Sequence, residues 1–207
     1  MIAYTESQTA IHELGHVLVA CALGMKFEYV EIHPAAPPRK GWDGQCRLIP
    51  SCGELHPLYL DAFQMGGPLL QLKMMPETLG EHLGLFKDSL FTHSRDLVGD
   101  KHGILDEIIW ASDLRRTHML QNASKLLAAH ASLRWGFPSP WLLTLEAEVR
   151  RFLEANPCQE LAQRLSVDLA HRKRLAFNSL SHEFESSIDP QFYQSLQKFV
   201  TTQAQFN

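Results

Sequence analysis

The chain has 207 residues, of which 45% are hydrophobic and 20% charged, and its formal net charge is -4 at pH 7. This composition is typical of a folded globular protein and excludes a collagen-like or wholly disordered chain. Negative net charge gives no general attraction for phosphate groups, so we expect no nucleic-acid partner and interpret the basic clusters at 114–116 and 171–174 as solvated helix faces. No apolar run is long enough to span a membrane. The four cysteines have no metal-ligand spacing, which favours free thiols and a cytoplasmic location.

The first predicted element is a helix from about residue 6 to residue 23. Thr5 followed by Gln8 is a capping-box pattern, and Gly24 suits the left-handed turn that ends many helices. Next, "FEYVEIHP" predicts a strand, "APPRKGWDG" a turn and "QCRLIP" a second short extended run. These two runs predict a small hairpin or sheet.

The rest of the chain has a mostly helical pattern. Helical spacing begins at Pro57, and a break or kink is expected at Gly66, Gly67 and Pro68. Residues 76–102 have weak periodicity and are interpreted as an irregular or partly helical insertion. The later predicted helices span about 104–135 and 139–156, with two amphipathic helices over 158–203. The fold class is therefore mainly α with a small β-sheet (α+β).

The first helix carries three polar side chains in an otherwise apolar run, in the pattern HExxH. Residues four apart lie on one helix face, so His12 and His16 can bind one ion from successive turns. This is zinc-ligand geometry of the zincin type, in which the intervening Glu13 acts as the general base on water. A random chain with 11 His in 207 residues would hold about 0.04 such matches. The alternative is that both histidines are ordinary residues and Glu13 pairs with a cation.

Several segments together resemble the peptidase domain of FtsH-type ATP-dependent zinc metallopeptidases. "TAIHELGHVLVACALGMKFEYVEIHP" is similar to that family's opening helix and strand, "GQCRLIP" to its short edge strand and "FQMGG" to its Gly-Gly helix. "WASDLRRTHMLQNA" is similar to the helix start that supplies its aspartate ligand. The likeness extends in pieces over residues 8–130. No "GxxxxGK[ST]" pattern is present, so the chain resembles the peptidase half without the motor.

The resemblance implies a zinc endopeptidase core at 1–135, with the insertion at 76–102, and a C-terminal helical extension at 136–207 packed on the same unit. It implies that His12 and His16 are zinc ligands, that Glu13 is the catalytic base and that Asp113 is the third ligand. The separation from the Gly-Gly pair is longer than is usual in the family, so other carboxylates remain open as the third ligand: Asp106, Asp100 and Asp96.

The substrate would be a flexible or unfolded protein. If "GQCRLIP" is an exposed edge, an extended peptide can pair with it as an added strand, with Gln45, Cys46, Arg47 and Leu48 as the substrate-binding residues. The alternative is that this edge is covered by the chain's own insertion. Two other functions stay open: a regulatory HExxH peptidase of another family, and a non-catalytic zinc-binding helical adaptor. A homo-oligomer and a separate ATPase partner are both compatible with the sequence.

Overall fold

A computed structural model describes residues 5–38, 40–49, 56–75 and 139–205 of the chain. Contacts group residues 1–79 and 147–207 into one compact unit and residues 80–146 into another, of which 139–146 are described. The following predictions lie outside the described residues: the insertion at 76–102, the helix at 104–135, the boundary at residue 135 and the carboxylates Asp96, Asp100, Asp106 and Asp113.

Helix α1 spans Glu6–Ala22, close to the predicted bounds. The predicted capping box is confirmed, because the Thr5 hydroxyl accepts from the Gln8 backbone N–H at 3.2 Å and the Gln8 side chain accepts from the Thr5 N–H at 2.7 Å. Gly24 has φ of 67°, the left-handed conformation that the sequence suggested. Nearly the whole helix is buried, so its polar residues lie inside the protein.

The sheet has three antiparallel strands in the order β2-β1-β3. The predicted hairpin forms from β1, Phe27–Pro34, and β2, Trp42–Leu48, with Ile32 opposite Gly44. On the other side β1 pairs with β3, Arg174–Ala176, so β2 is an edge strand among the strands that the structure describes. The predicted fold class, mainly α with a small sheet, is confirmed.

Strand β3 was not predicted, and the basic cluster at 171–174 is not a continuous helix face as expected. The preceding helix ends where Lys173 takes a φ of 64°, and the Lys173 carbonyl then accepts from the Ile32 N–H at 2.9 Å. Arg174 lies over the Tyr29 ring, 3.5 Å from its centroid. Pairing with β1 thus ends a helix that local periodicity would have continued.

Helix α2 spans Pro57–Met74 as one continuous helix, so of the break or kink predicted at Gly66, Gly67 and Pro68 the break is absent. The glycines instead allow close packing: a Cβ at Gly66 would overlap the backbone of Gly15 in α1, and a Cβ at Gly15 would overlap the backbone of Gly66. Tertiary contact between the two helices therefore explains the Gly-Gly pair, which local propensity would interpret as a helix breaker.

The C-terminal helices are α3, Ser139–Leu153; α4, Asn156–Arg172; α5, Phe177–Ser187; and α6, Gln194–Gln205, with a short 3-10 helix at Pro190–Phe192. Where two helices were predicted over 158–203, three are present. Phe152, Phe184 and Tyr193 form an aromatic cluster, with ring centroids 5.4 to 6.3 Å apart. Gln197 donates to the Ala22 carbonyl at 2.7 Å and so ties α6 to the end of α1. None of the helices in the described ranges has the length and apolar content needed to cross a bilayer.

Candidate metal centre

The two predicted histidine ligands meet on the face of α1 that packs against α2. His12 Nε2 and His16 Nε2 are 3.1 Å apart, and the rings stand edge to face with centroids 4.8 Å apart. Two ligand nitrogens on a tetrahedral zinc at about 2.05 Å would be separated by about 3.3 Å. The spacing of the two nitrogens therefore matches a shared metal ion.

Helix α2 engages the other nitrogen of each ring. His16 Nδ1 donates to the Phe63 carbonyl at 2.7 Å, and His12 Nδ1 is 3.1 Å from Gln71 Oε1. A neutral imidazole that donates through Nδ1 has its lone pair on Nε2, the atom that binds metal. Burial lowers the pKa of His16 to about 4, although the hydrogen bond to the Phe63 carbonyl has a smaller, opposite effect. Because of this low pKa, the His16 ring is neutral near pH 7.

The backbone of Gly67 passes close to the two Nε2 atoms and carries no side chain there. A Cβ built at Gly67 would lie 2.5 Å from His16 Nε2 and 2.8 Å from His12 Nε2. Any larger residue would place its Cβ in overlap with both nitrogens. The two imidazoles, their tautomer-setting partners and this glycine therefore fit a zinc ion.

Glu13 is buried beside the sheet, and 6% of its surface is exposed. A Cβ at Gly44 of β2 would lie 2.5 Å from Glu13 Cγ, so the strand passes directly over the carboxylate. Burial raises the pKa of Glu13 to about 8. The carboxyl group is thus enclosed by α1 and the edge strand.

The third ligand is not supplied by the described part of the chain. Within it, no group of three His, Cys, Asp or Glu side chains lies close enough to hold an ion. Asp113, the predicted ligand, and its alternatives lie outside these residues. The structure therefore brings together His12 and His16, and the assignment of Asp113 stays a prediction.

The four predicted substrate-binding residues lie on β2, the strand that also contains Gly44. Gln45 and Arg47 are exposed on the outer face of the sheet, where their side chains reach the Tyr29 hydroxyl at 3.4 and 3.5 Å. Cys46 and Leu48 are less exposed, and burial, with a smaller effect from Glu13, raises the pKa of the Cys46 thiol. The structure places this strand next to Glu13 but provides no test of substrate binding.

Sequence reasoning missed the residues that surround the His12–His16 dyad. Gln71 and Phe63 hold the two Nδ1 atoms, while Gly67 and Gly44 leave room for the Nε2 atoms and for Glu13. The sequence did contain a signal for the residues on α2, because Gln71 lies one helical turn after Gly67 on the same helix face. The prediction of a helix break at the Gly-Gly pair meant that this shared face was not recognised.

Comparison with protein-family models gives no match, and comparison with curated proteins gives none either. The resemblance to FtsH-type peptidases is therefore a hypothesis based on short motifs. The functional conclusion depends on the geometry around His12, Glu13 and His16.

Proposed function

We propose that the protein is a zinc-dependent endopeptidase that hydrolyses peptide bonds of flexible or unfolded proteins. The observation that carries the proposal is the convergence of two imidazole Nε2 atoms, 3.1 Å apart, with α2 holding both Nδ1 atoms. A buried carboxylate follows the first ligand in sequence. An ordinary pair of core histidines needs neither a glycine at position 67 nor a neighbouring base.

In this mechanism His12 and His16 would hold the zinc, and Asp113 is the proposed third ligand. A bound zinc would supply a Lewis acid for the scissile carbonyl and for water near neutral pH. The ionised form of Glu13, which the raised pKa makes the minor form at neutral pH in the absence of a metal, would take the proton from the attacking water and later deliver it to the leaving amine. The buried position beside Gly44 holds the carboxylate in place for both transfers.

The substrate chain would pair with the edge of β2, where Gln45, Cys46, Arg47 and Leu48 lie. Two observations support this part of the proposal: β2 is an edge of the described sheet, and the same strand covers Glu13 at Gly44. Main-chain pairing would bring an extended peptide past the base with little sequence preference. Proline substitutions at Gln45, Cys46, Arg47 and Leu48 should slow cleavage of an unstructured substrate, and unchanged cleavage in all four variants would contradict the strand-addition model.

The zinc site is tested by elemental analysis of purified, zinc-loaded and dialysed protein. We expect close to one zinc per chain in the wild type, and loss of zinc in His12→Ala and His16→Ala. His33→Ala is the matched control, because His33 is exposed on β1 and should leave the zinc content unchanged. A wild-type protein that holds no zinc after loading contradicts the proposal.

The catalytic role is tested with a fluorogenic casein substrate. Glu13→Gln should retain zinc and lose cleavage, whereas Glu160→Gln, an exposed glutamate on α4, should retain both. A chelator should stop the wild-type reaction. Zinc binding with no cleavage of any unfolded substrate would instead favour the zinc-binding helical adaptor.

The third ligand is tested by comparing Asp113→Ala with Asp106→Ala, Asp100→Ala and Asp96→Ala. We expect zinc affinity to fall in the Asp113 variant alone. Loss of zinc in a Glu or His variant, with Asp113→Ala unaffected, would favour a regulatory HExxH peptidase of another family.

The proposed partners are proteins rather than nucleic acids, because the net charge is -4. A separate ATPase or a homo-oligomer remains compatible with the chain, and the proposed location is the cytoplasm. Gel filtration and purification with associated proteins from the native host would test the partner, and stoichiometric recovery of an ATPase would support it.

A further inference from the structure

The Nδ1 atoms of His12 and His16 have two different kinds of hydrogen-bond partner. The partner of His16 is the main-chain carbonyl of Phe63, which can accept a hydrogen bond but cannot donate one. The partner of His12 is the side-chain amide of Gln71, which has an oxygen at one end and an NH2 group at the other. The proton of His16 is therefore held on Nδ1, whereas the partner of His12 is compatible with either tautomer.

The distance between the two Nε2 atoms makes the tautomer of His12 depend on the metal. At 3.1 Å, two lone pairs facing each other repel unless an ion or a proton lies between them. When an ion is bound, both Nε2 atoms are unprotonated and the proton of His12 is on Nδ1. Without an ion, the proton lies on His12 Nε2 and is donated to His16 Nε2, so His12 Nδ1 becomes an acceptor.

Gln71 can satisfy both states by rotating its amide group. In this structure Oε1 faces His12 Nδ1, which requires the proton on Nδ1 and so suits the ion-bound state. The Gln71 side chain is fully buried, and among the described residues its Nε2 has no hydrogen-bond partner in this orientation. A half-turn of the amide would place Nε2 against the Nδ1 acceptor of the ion-free state.

We propose that Gln71 is the positioning residue of the metal centre, whose buried amide donates to His12 when no ion is bound and accepts from His12 when an ion is bound. This inference rests on the proposed zinc site but adds a residue and a coupled rearrangement to it. The exchange is balanced: the proton that leaves His12 Nε2 goes to water, and a proton from water enters Nδ1. A carboxylate at this position would accept only and would hold His12 in the metal-binding tautomer permanently.

The direct test is the tautomer of His12, measured from the imidazole ¹⁵N shifts of the full-length protein and assigned with His12→Ala. In metal-free wild type we expect the proton on His12 Nε2 and on His16 Nδ1. Saturation with zinc should move the His12 proton to Nδ1 and leave His16 unchanged. A His12 proton that is on Nδ1 both with and without zinc would overturn the inference.

Two variants measure the consequence for the ion. Gln71→Met should weaken zinc affinity by about 10–100-fold in a chelator competition, because His12 loses its orienting partner. Gln71→Glu should keep the His12 proton on Nδ1 in the metal-free protein and bind zinc at least as tightly as the wild type. Gln64→Met, on the same helix, is the matched control and should leave the affinity unchanged.

The outcomes separate the two proposals. If the wild type binds no zinc, the proposed peptidase fails, whatever the tautomer of His12. If the wild type binds zinc but Gln71→Met binds it equally tightly, only the role of Gln71 fails. Should Gln71→Met not fold, Gln71→Glu and the wild-type tautomers still decide the inference.

Discussion

Helix α1 packs against two neighbourhoods of opposite character. Toward α2 and β2 its contacts include glycines and polar side chains, such as Gly15 against Gly66 and Glu13 against Gly44. Toward the C-terminal helices the buried residues are apolar, as in α4, where Leu161 and Leu165 are buried. One helix therefore separates a polar, closely packed site from an apolar core.

The difference shows how this chain can keep buried polar groups. Burial of a carboxylate and two imidazoles costs free energy unless each has a partner. The apolar layer around Phe152 and Phe184 supplies stabilisation that does not depend on the site. We therefore expect substitutions on the two sides of α1 to have separable effects on the metal and on the free energy of unfolding.

The largest expected effect is that of Gly67→Ala on zinc binding. The new Cβ would lie 2.5 Å from His16 Nε2, in the space where the ion is proposed to bind. Elemental analysis after dialysis should find no zinc, although circular dichroism should find a folded protein. Gly66→Ala provides the contrast, because its Cβ would meet the Gly15 backbone and should lower the unfolding temperature far more. Full zinc content in Gly67→Ala would place the ion elsewhere.

On the apolar side, Phe152→Ala should lower the free energy of unfolding by about 3–5 kcal/mol, because it removes a buried ring from the aromatic cluster. Denaturant titration of the metal-free protein measures this loss. Val167→Ala, at a position 63% exposed on α4, is the control and should cost less than about 0.5 kcal/mol. Zinc affinity measured under folding conditions should be unchanged, and a large change would mean that the two sides are coupled.

A smaller effect, on the rate of cleavage, is expected where Gly44 of β2 packs against Glu13. In Gly44→Ala the new Cβ would lie 2.5 Å from Glu13 Cγ and force the carboxylate to move. A displacement of about 1 Å can reduce turnover roughly 100-fold. Casein cleavage measures the loss, and zinc content should remain at the wild-type value. Unaltered cleavage would mean that Glu13 does not act from this position.

The smallest expected effect is at the start of α1. Thr5→Ala removes the capping hydroxyl that accepts from Gln8 and should cost about 1 kcal/mol of unfolding free energy. Thr201→Ala, at an exposed position within α6, is the control. Both variants should bind zinc like the wild type, because neither residue is among those that surround His12 and His16. A loss above about 2 kcal/mol would exceed the known range for capping residues.

The sequence by itself determined the features that depend on neighbouring residues along the chain. The capping box at Thr5 and Gln8, the left-handed Gly24, the β1–β2 hairpin and the one-turn spacing of His12 and His16 all follow from local geometry. Such features need contacts only within one helix or one hairpin, so their pattern is visible in the sequence. The expectation of a mainly helical fold with a small sheet follows from the same local patterns.

Tertiary structure alone decided what lies against those local elements. The hydrogen bond between His12 and Gln71 joins residues 59 positions apart, and β3 pairs with β1 from far along the chain. The glycines of the continuous α2 pack against Gly15 of α1. The local sequence pattern predicted a helix break at Gly66 and Gly67, because such a pattern contains no information about the backbone of α1 that packs against them. Close packing between distant segments determines which small or polar residue each position can hold, and that information is not contained in any short window of the chain.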